Sequence, residues 1–266
     1  MDHDESCQRM RKRPLLLAGV FLVSGVAVSA AGDLSPGGSF AVDSRDGALA
    51  VSFGGQHLAK YVYRDEKILR PYFANLRTLR GVQVTRNHPP ISGRDAVDHD
   101  TMHPGLWLAF GDINGQDFWR NKGRIEHVRF VQPPALAGGR LTFASEERML
   151  SANGALLGSA TNQFTLSRLG EAWMLVWEAT FHSEEGDLAF GDQEEMGFGV
   201  RMATALTEKT GGVITSSSGR KTAKETWGRA AAWCDSSGAI DGRSVGITLM
   251  AHPANFRPSW WHNRDY

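Results

Sequence analysis

Hydrophobic residues recur at every second position along most of this chain, whereas the helical spacing of three to four is rare. The plainest instance is Trp173, Leu175, Trp177, Ala179 and Phe181, alternating with more variable neighbours. A period of two puts those five side chains on one face of a strand and predicts that this face is buried. Shorter runs of the same kind cover residues 48–53, 58–63, 81–86, 106–110, 125–131, 141–147, 158–166, 198–203 and 245–250. Between them stand Asp46-Gly47, Asn114-Gly115, Gly138-Gly139, Asn153-Gly154, Leu169-Gly170, Gly211-Gly212, Ser218-Gly219 and Asp241-Gly242. Such pairs tolerate positive φ and turn the chain. Many short strands at this spacing, without alternating long helices, predict an all-β fold of antiparallel sheets packed as a β-sandwich.

Two stretches break the alternation. Residues 87–105 are rich in proline, histidine and aspartate and carry no strand pattern; a loop of that length in a compact domain is usually functional or disordered. At the N-terminus, Arg9, Arg11, Lys12 and Arg13 precede an apolar run from Leu15 to Val28, followed by Ser29-Ala30-Ala31-Gly32. A basic flank, a short apolar run and small residues make a signal-peptide pattern, and the run falls short of the roughly twenty residues of a membrane-crossing helix. The expectation is a leader over 1–31, cleaved near Ala30 or Ala31, and a single sandwich domain over 32–266, periplasmic or secreted.

Charge narrows the partners. Lys and Arg number 29, as do Asp and Glu, and loss of 1–31 leaves a formal charge of about minus one. No excess of basic residues marks a phosphate-binding surface, so nucleic acid is not an expected partner. No apolar stretch after the leader has membrane length, so no span is expected in the mature chain. Of the two cysteines, Cys7 lies in the leader, which leaves Cys234 without an internal partner and best read as a buried bystander.

Three clusters carry candidate chemistry. The first is Asp98-His99-Asp100-Thr101-Met102-His103-Pro104-Gly105, followed by Leu106-Trp107. His99 and His103 would share a helix face, but Pro104 disfavours helix at His103, and an extended segment would part their Cα atoms by roughly 13 Å. Joint action requires a curled loop. The second is Gly191-Asp192-Gln193-Glu194-Glu195-Met196-Gly197, at the mouth of a strand reaching Arg201; Glu194 or Glu195 can serve as general acid or base, or the segment is a solvated acidic turn. The third is His252-Pro253-Ala254-Asn255-Phe256 with Trp260-Trp261-His262-Asn263-Arg264-Asp265-Tyr266. Tryptophan faces stack on sugar rings while His252, Asn255, Arg264 and Asp265 can hydrogen-bond hydroxyls, unless the rings merely fill the core. A phosphate-binding Gly-rich loop, Cys-x-x-Cys, His-Glu-x-x-His and Gly-x-Ser-x-Gly are all missing from the sequence.

If the clusters meet, His99, His103 and His262 would transfer protons or bind hydroxyls and Glu194 or Glu195 would supply a carboxylate. Arg201 and Arg264 would hold an anionic or hydroxyl-rich group, and Trp261, with Trp107 nearby, would stack on a sugar. Epimerase-, lyase- or hydrolase-type acid–base chemistry on a carbohydrate needs no covalent intermediate and no cofactor. A metal-dependent hydrolase or oxygenase is the alternative, with His99, His103 and either His252 or His262 on Zn²⁺ or Fe²⁺. A glycan-binding module without turnover is a third reading.

These segments resemble a bacterial family labelled PmoA-like, or "methane oxygenase". The resemblance rests on Arg70-Pro-Tyr-Phe-Ala-Asn-Leu-Arg77, Val84-Thr-Arg-Asn-His-Pro89, the stretch from Asp98 to Trp107, Gly111-Asp-Ile-Asn-Gly-Gln-Asp-Phe-Trp119, Phe190 to Arg201, Trp233-Cys-Asp-Ser-Ser-Gly238, His252-Pro-Ala-Asn-Phe256 and Trp261 to Tyr266. It implies a supersandwich similar to that of galactose mutarotase. It does not imply methane oxidation, because the membrane subunits of methane monooxygenase cross the bilayer many times and this chain has no such segments. The family's pattern continues past the stretch resembling Trp261 to Tyr266 with a glycine and a further β region. The resemblance thus implies that C-terminal strands are lacking and that a sheet edge or part of the core is uncovered.

Overall fold

The computed structural model describes residues 8–10, 15–26, 38–184 and 186–264. Fourteen strands build two antiparallel sheets. They are β1 (Leu15–Val26), β2 (Phe40–Arg45), β3 (Ala48–Phe53), β4 (Gln56–Val62), β5 (Tyr72–Ala74), β6 (Leu106–Phe110) and β7 (Arg124–Ala137). The rest are β8 (Arg140–Leu150), β9 (Leu156–Leu169), β10 (Ala172–His182), β11 (Met196–Val200), β12 (Val213–Ser216), β13 (Trp233–Ile240) and β14 (Arg243–Ala251). One sheet runs β12-β13-β14-β1-β10-β9-β8-β7 and the other β11-β6-β5-β4-β3-β2. Two minor pairings join Gln8–Met10 to Leu188–Phe190 and Arg229–Ala230 to Trp260–Trp261. Among the described residues no helix is long and apolar enough to cross a membrane.

Turn chemistry fixes the hairpins. Asp46-Gly47, Gly138-Gly139 and Asp241-Gly242 join β2 to β3, β7 to β8 and β13 to β14, all with positive φ at both residues. That is the geometry of a two-residue turn whose twist matches the flanking strands.

The sheets face each other across an aromatic core. All five alternating residues of β10 are buried, at 3% exposure or less. Across the interface Tyr61 meets Phe143 and Phe164 at centroid distances of 5.4 and 4.9 Å, Phe73 meets Trp177 at 5.7 Å, and Phe198 meets Phe21 and Trp177 at 5.2 and 5.3 Å. The rings pack edge-on or tilted, the arrangement their quadrupoles favour. Each such buried side chain contributes about 1.5–3 kcal/mol from area alone. A polar ladder crosses the same sheet: Trp177 Nε1 donates to Asn162 Oδ1, and Asn162 Nδ2 to the fully buried Glu147, both at 2.7 Å.

A second, smaller cluster covers the other face of the six-stranded sheet. Leu106, Leu108 and Phe110 of β6 point into the main core, whereas Trp107 and Ala109 point outward and pack with Ile68, Tyr72 and Trp119. β6 is therefore buried on both faces. This outer cluster positions the functional loops.

Several elements differ from the alternation. Residues 81–86 form no strand and contribute only the bridges Arg77 to Gln83 and Thr85 to Met202, and the strand expected over 198–203 lies at Met196–Val200. Strands β2, β5, β12 and β13 carry no clear period of two; Tyr72–Ala74 is buried on both faces and Trp233–Ile240 is largely polar. β7 contains Pro133 and Pro134, tolerated because it is the outer strand, where no neighbour needs their missing N–H.

The largest difference concerns the leader. Residues 15–26 of the apolar run lie between β10 and β14 as a central strand, with Phe21 1% and Val23 0% exposed. A continuous apolar run suits a leader and a central strand of a large sheet equally well, and composition alone does not separate them.

Candidate functional site

A cavity of about 730 Å³ opens beside β11, the edge strand of the six-stranded sheet. Three segments far apart in sequence wall it: the His103 loop with Trp107 and Trp119, residues 192–202, and residues 255–264. Leu17, Ala18, Gly19 and Phe21 of β1 close it from the larger sheet. The sequence of β11, Met-Gly-Phe-Gly-Val, sets this up. Phe198 turns into the core, while a Cβ at Gly199 would run into the Trp107 ring. Glycine there lets the indole lie against the strand.

Two buried arginines shape the first wall. Arg86, 1% exposed, donates to the carbonyls of Ala96, Asp98 and His103 at 2.9, 2.6 and 3.0 Å, and more weakly to that of His99 at 3.4 Å. Arg70, 3% exposed, donates to the carbonyls of Trp119 and Phe118, to Asn121 Oδ1 and to the carbonyl of Met102. Burial lowers the Arg70 pKa to about 9, so it stays charged at neutral pH. Together they curl the loop. The amides of Met102 and His103 both reach the carbonyl of His99, at 3.1 and 2.9 Å, and the His99 and His103 rings stand 5.2 Å apart.

His103 stacks on Trp107 at 4.9 Å and 10°, and Trp119 Nε1 donates to its Nε2 at 3.3 Å. That bond places the ring proton on Nδ1. Burial, with Arg201, His99, Arg70 and Arg86 nearby, drives its pKa down to about 3. His103 is consequently neutral under ordinary conditions. Asp98 accepts from His99 Nδ1 at 2.9 Å and from Arg201 Nη2 at 2.7 Å. Burial alone would raise the Asp98 pKa; the bond from His99 and the charges of Arg201 and Arg86 outweigh it and hold it below the usual range.

The second wall consists of ion pairs at the surface. Glu195 pairs with Arg120, itself bonded to Asp117. Glu194 faces His262 Nδ1 at 3.4 Å and accepts from Arg264 Nη2 at 3.1 Å, while Arg264 Nε donates to His262 Nε2 at 2.7 Å. The His262 proton accordingly sits on Nδ1, toward Glu194. Burial and then Arg264 lower the His262 pKa, with Glu194 opposing, so this ring too is neutral near pH 7.

The cavity collects most of the expected residues and leaves out others. His103, Trp107, Glu194, Glu195, Arg201, Asn255, Trp261, His262 and Arg264 line it. His99 stands behind His103 and is not on the wall; nor is His252, whose Nδ1 accepts from the Ala254 amide. Asp265 lies outside the described residues. Among the described residues no three His, Cys, Asp or Glu side chains are gathered as a metal-binding group. His99, His103 and His262 therefore do not form the joint ligand set of the metal-dependent alternative. Cys234 is buried, which raises its pKa to about 11 and keeps the thiol protonated.

The stacking surface also differs. Trp261 donates from Nε1 to the carbonyl of Ala231 and packs against Ile214, Ala223 and Cys234. The exposed rings on the wall are Trp227 and Trp260, at 47% and 67%. Trp260 belongs to the third cluster, whose stacking ring was expected at Trp261 instead; Trp227 was not marked by its sequence context, nor were Trp119, Arg120, Arg70 and Arg86 as site builders.

Residues 48–266 match the model of a family described as a family of unknown function, DUF6807. No curated protein and no solved structure matches the chain.

Proposed function

This chain belongs to the DUF6807 family, and on that premise we propose that it binds a carbohydrate beside β11 and performs acid–base chemistry on it without a covalent intermediate. The observation that carries the reading is the convergence of exposed indoles, carboxylates, histidine and arginine on one cavity of about 730 Å³, a size that encloses a small ligand. Trp227 and Trp260 offer faces for sugar rings, and Arg201 and Arg264 offer donors to hydroxyl or anionic oxygens.

The proton-transfer pair in this reading is Glu194 with His262. At rest Arg264 occupies the Nε2 lone pair of the neutral imidazole. A ligand oxygen that draws Arg264 toward itself uncovers Nε2 as a base, while Glu194 keeps the Nδ1 proton oriented and stabilises the imidazolium that forms. His103 contributes shape and a neutral donor. Glycan binding without turnover is the second reading, favoured by the ion pairing of both Glu194 and Glu195 at rest.

Titration of intrinsic tryptophan fluorescence with neutral and acidic mono- and oligosaccharides tests the proposal, with NMR of the same mixtures reporting any product. Saturable quenching that Trp260→Ala diminishes is the expected result. A product that Glu194→Gln suppresses separates catalysis from binding alone. If no sugar in such a panel gives a saturable response, the carbohydrate reading fails.

A further inference from the structure

The run that reads as an export leader occupies the middle of the larger sheet. Trp173 to Phe181 of β10 pair with Val23 to Leu15, and Ser244 to Ala251 of β14 pair with Val26 to Gly19. Without this strand, β12-β13-β14 would have no bonded link to β10-β9-β8-β7, and two facing rows of backbone N–H and C=O groups would lose their partners. The segment lies outside the stretch 48–266 that matches the family model, and among the described residues no strand of that stretch takes this place in the sheet.

The strand also carries one wall of the cavity. Ala18 N donates to Asn255 Oδ1 at 2.8 Å, Asn255 Nδ2 donates back to the Ala18 carbonyl at 2.9 Å, and the His252 amide reaches the same carbonyl at 3.2 Å. A carboxamide bonded both ways to one backbone unit behaves as an added rung of the ladder. It ties residues 252–264, with Trp260 and His262, to β1. At Gly19 a Cβ would lie 2.8 Å from the Phe198 ring, so the strand passes directly against β11.

We propose that the slot between β10 and β14 is a strand-acceptor groove that must hold an apolar antiparallel strand for the sandwich and its cavity to form, and that Leu15–Val26 is its occupant. The groove recognises its strand by two backbone ladders and by pockets for alternate apolar side chains, the chemistry of β-strand addition. The inference does not rest on the carbohydrate reading, and its test requires no ligand.

Hydrogen exchange on the full chain gives the first readout: amides of residues 18–23 should be protected to the same degree as those of β10. Deleting residues 1–31 should strip protection from β10 and β14 and abolish the near-ultraviolet circular dichroism of the buried tryptophans. A synthetic peptide of residues 15–26, with terminal lysines for solubility, should restore both at one equivalent, and the same peptide carrying Val23→Asp should not. Rapid exchange of 18–23 beside a protected β10, full protection in the shortened chain, or failure of the unmodified peptide to restore it would overturn the proposal.

Discussion

On the His103 side of the cavity the supporting cations Arg70 and Arg86 are buried and bonded mainly to backbone carbonyls, whereas on the His262 side the charged groups are exposed and bonded mainly to one another. Arg86 is 1% exposed and holds four carbonyls of a single loop. Arg264 and Glu194, with side chains 41% and 50% exposed, hold each other and His262. A buried cation whose donors are taken by carbonyls cannot shift without leaving those carbonyls unsatisfied, so the first wall is fixed before any ligand arrives. An exposed pair can exchange partners at small cost because water replaces what is lost. Shape therefore resides in one wall and response in the other.

The contrast breaks most visibly at Arg86. Arg86→Met should cost about 3–5 kcal/mol in denaturant unfolding, since it removes a buried cation that holds four loop carbonyls. A loss under about 1 kcal/mol, the scale of a surface change, would mean that the loop is held elsewhere.

The pH response sharpens the same point. Burial holds the His103 pKa near 3 in the folded chain, against about 6.5 when unfolded. Between those values the unfolded chain binds a proton that the folded chain refuses. The contribution is full above pH 6.5 and is lost as pH falls toward 3. His57, His88 and His262 are lowered as well and act in the same direction, so the difference between wild type and His103→Gln is the quantity to follow. The variant should lose stability less steeply over that window, and parallel curves would remove His103 as a buried neutral group.

The smallest effect belongs to the responsive wall. Arg264→Gln should change stability by less than about 1 kcal/mol while altering sugar affinity by about tenfold, the value of one lost charged hydrogen bond. A stability loss matching that of Arg86→Met would erase the distinction between the walls.

The strands with one covered face were legible because burial on one side alone imposes a period of two, as in Trp173 to Phe181. Tyr72–Ala74 was hidden because three residues, all buried, are too few to show a period or a run, and 81–86 misled because bridges and loop packing bury Val84 without a ladder. In the site, the clusters themselves were visible as local concentrations of His, carboxylate and Trp. Their supports were not: a single arginine in sequence says nothing about being buried, and Arg70 and Arg86 act on loops that only folding brings to them. The phase of Trp260 and Trp261 was equally hidden, because pairing with Ala230 and Arg229 decides which ring turns outward.

The long sheet also bears on solubility during synthesis. Its natural ends are guarded: β7 carries Pro133 and Pro134 with shifted register, and β12 is covered by the bridge from Thr215 to Lys221. The two edges that flank β1 have no such guards, since Ala172–His182 and Arg243–Ala251 contain no proline. A chain parted from residues 15–26 would present them as adhesive seams at the centre of the molecule, open to the first apolar strand at hand, and its yield would depend on how soon a chaperone or another strand covered them.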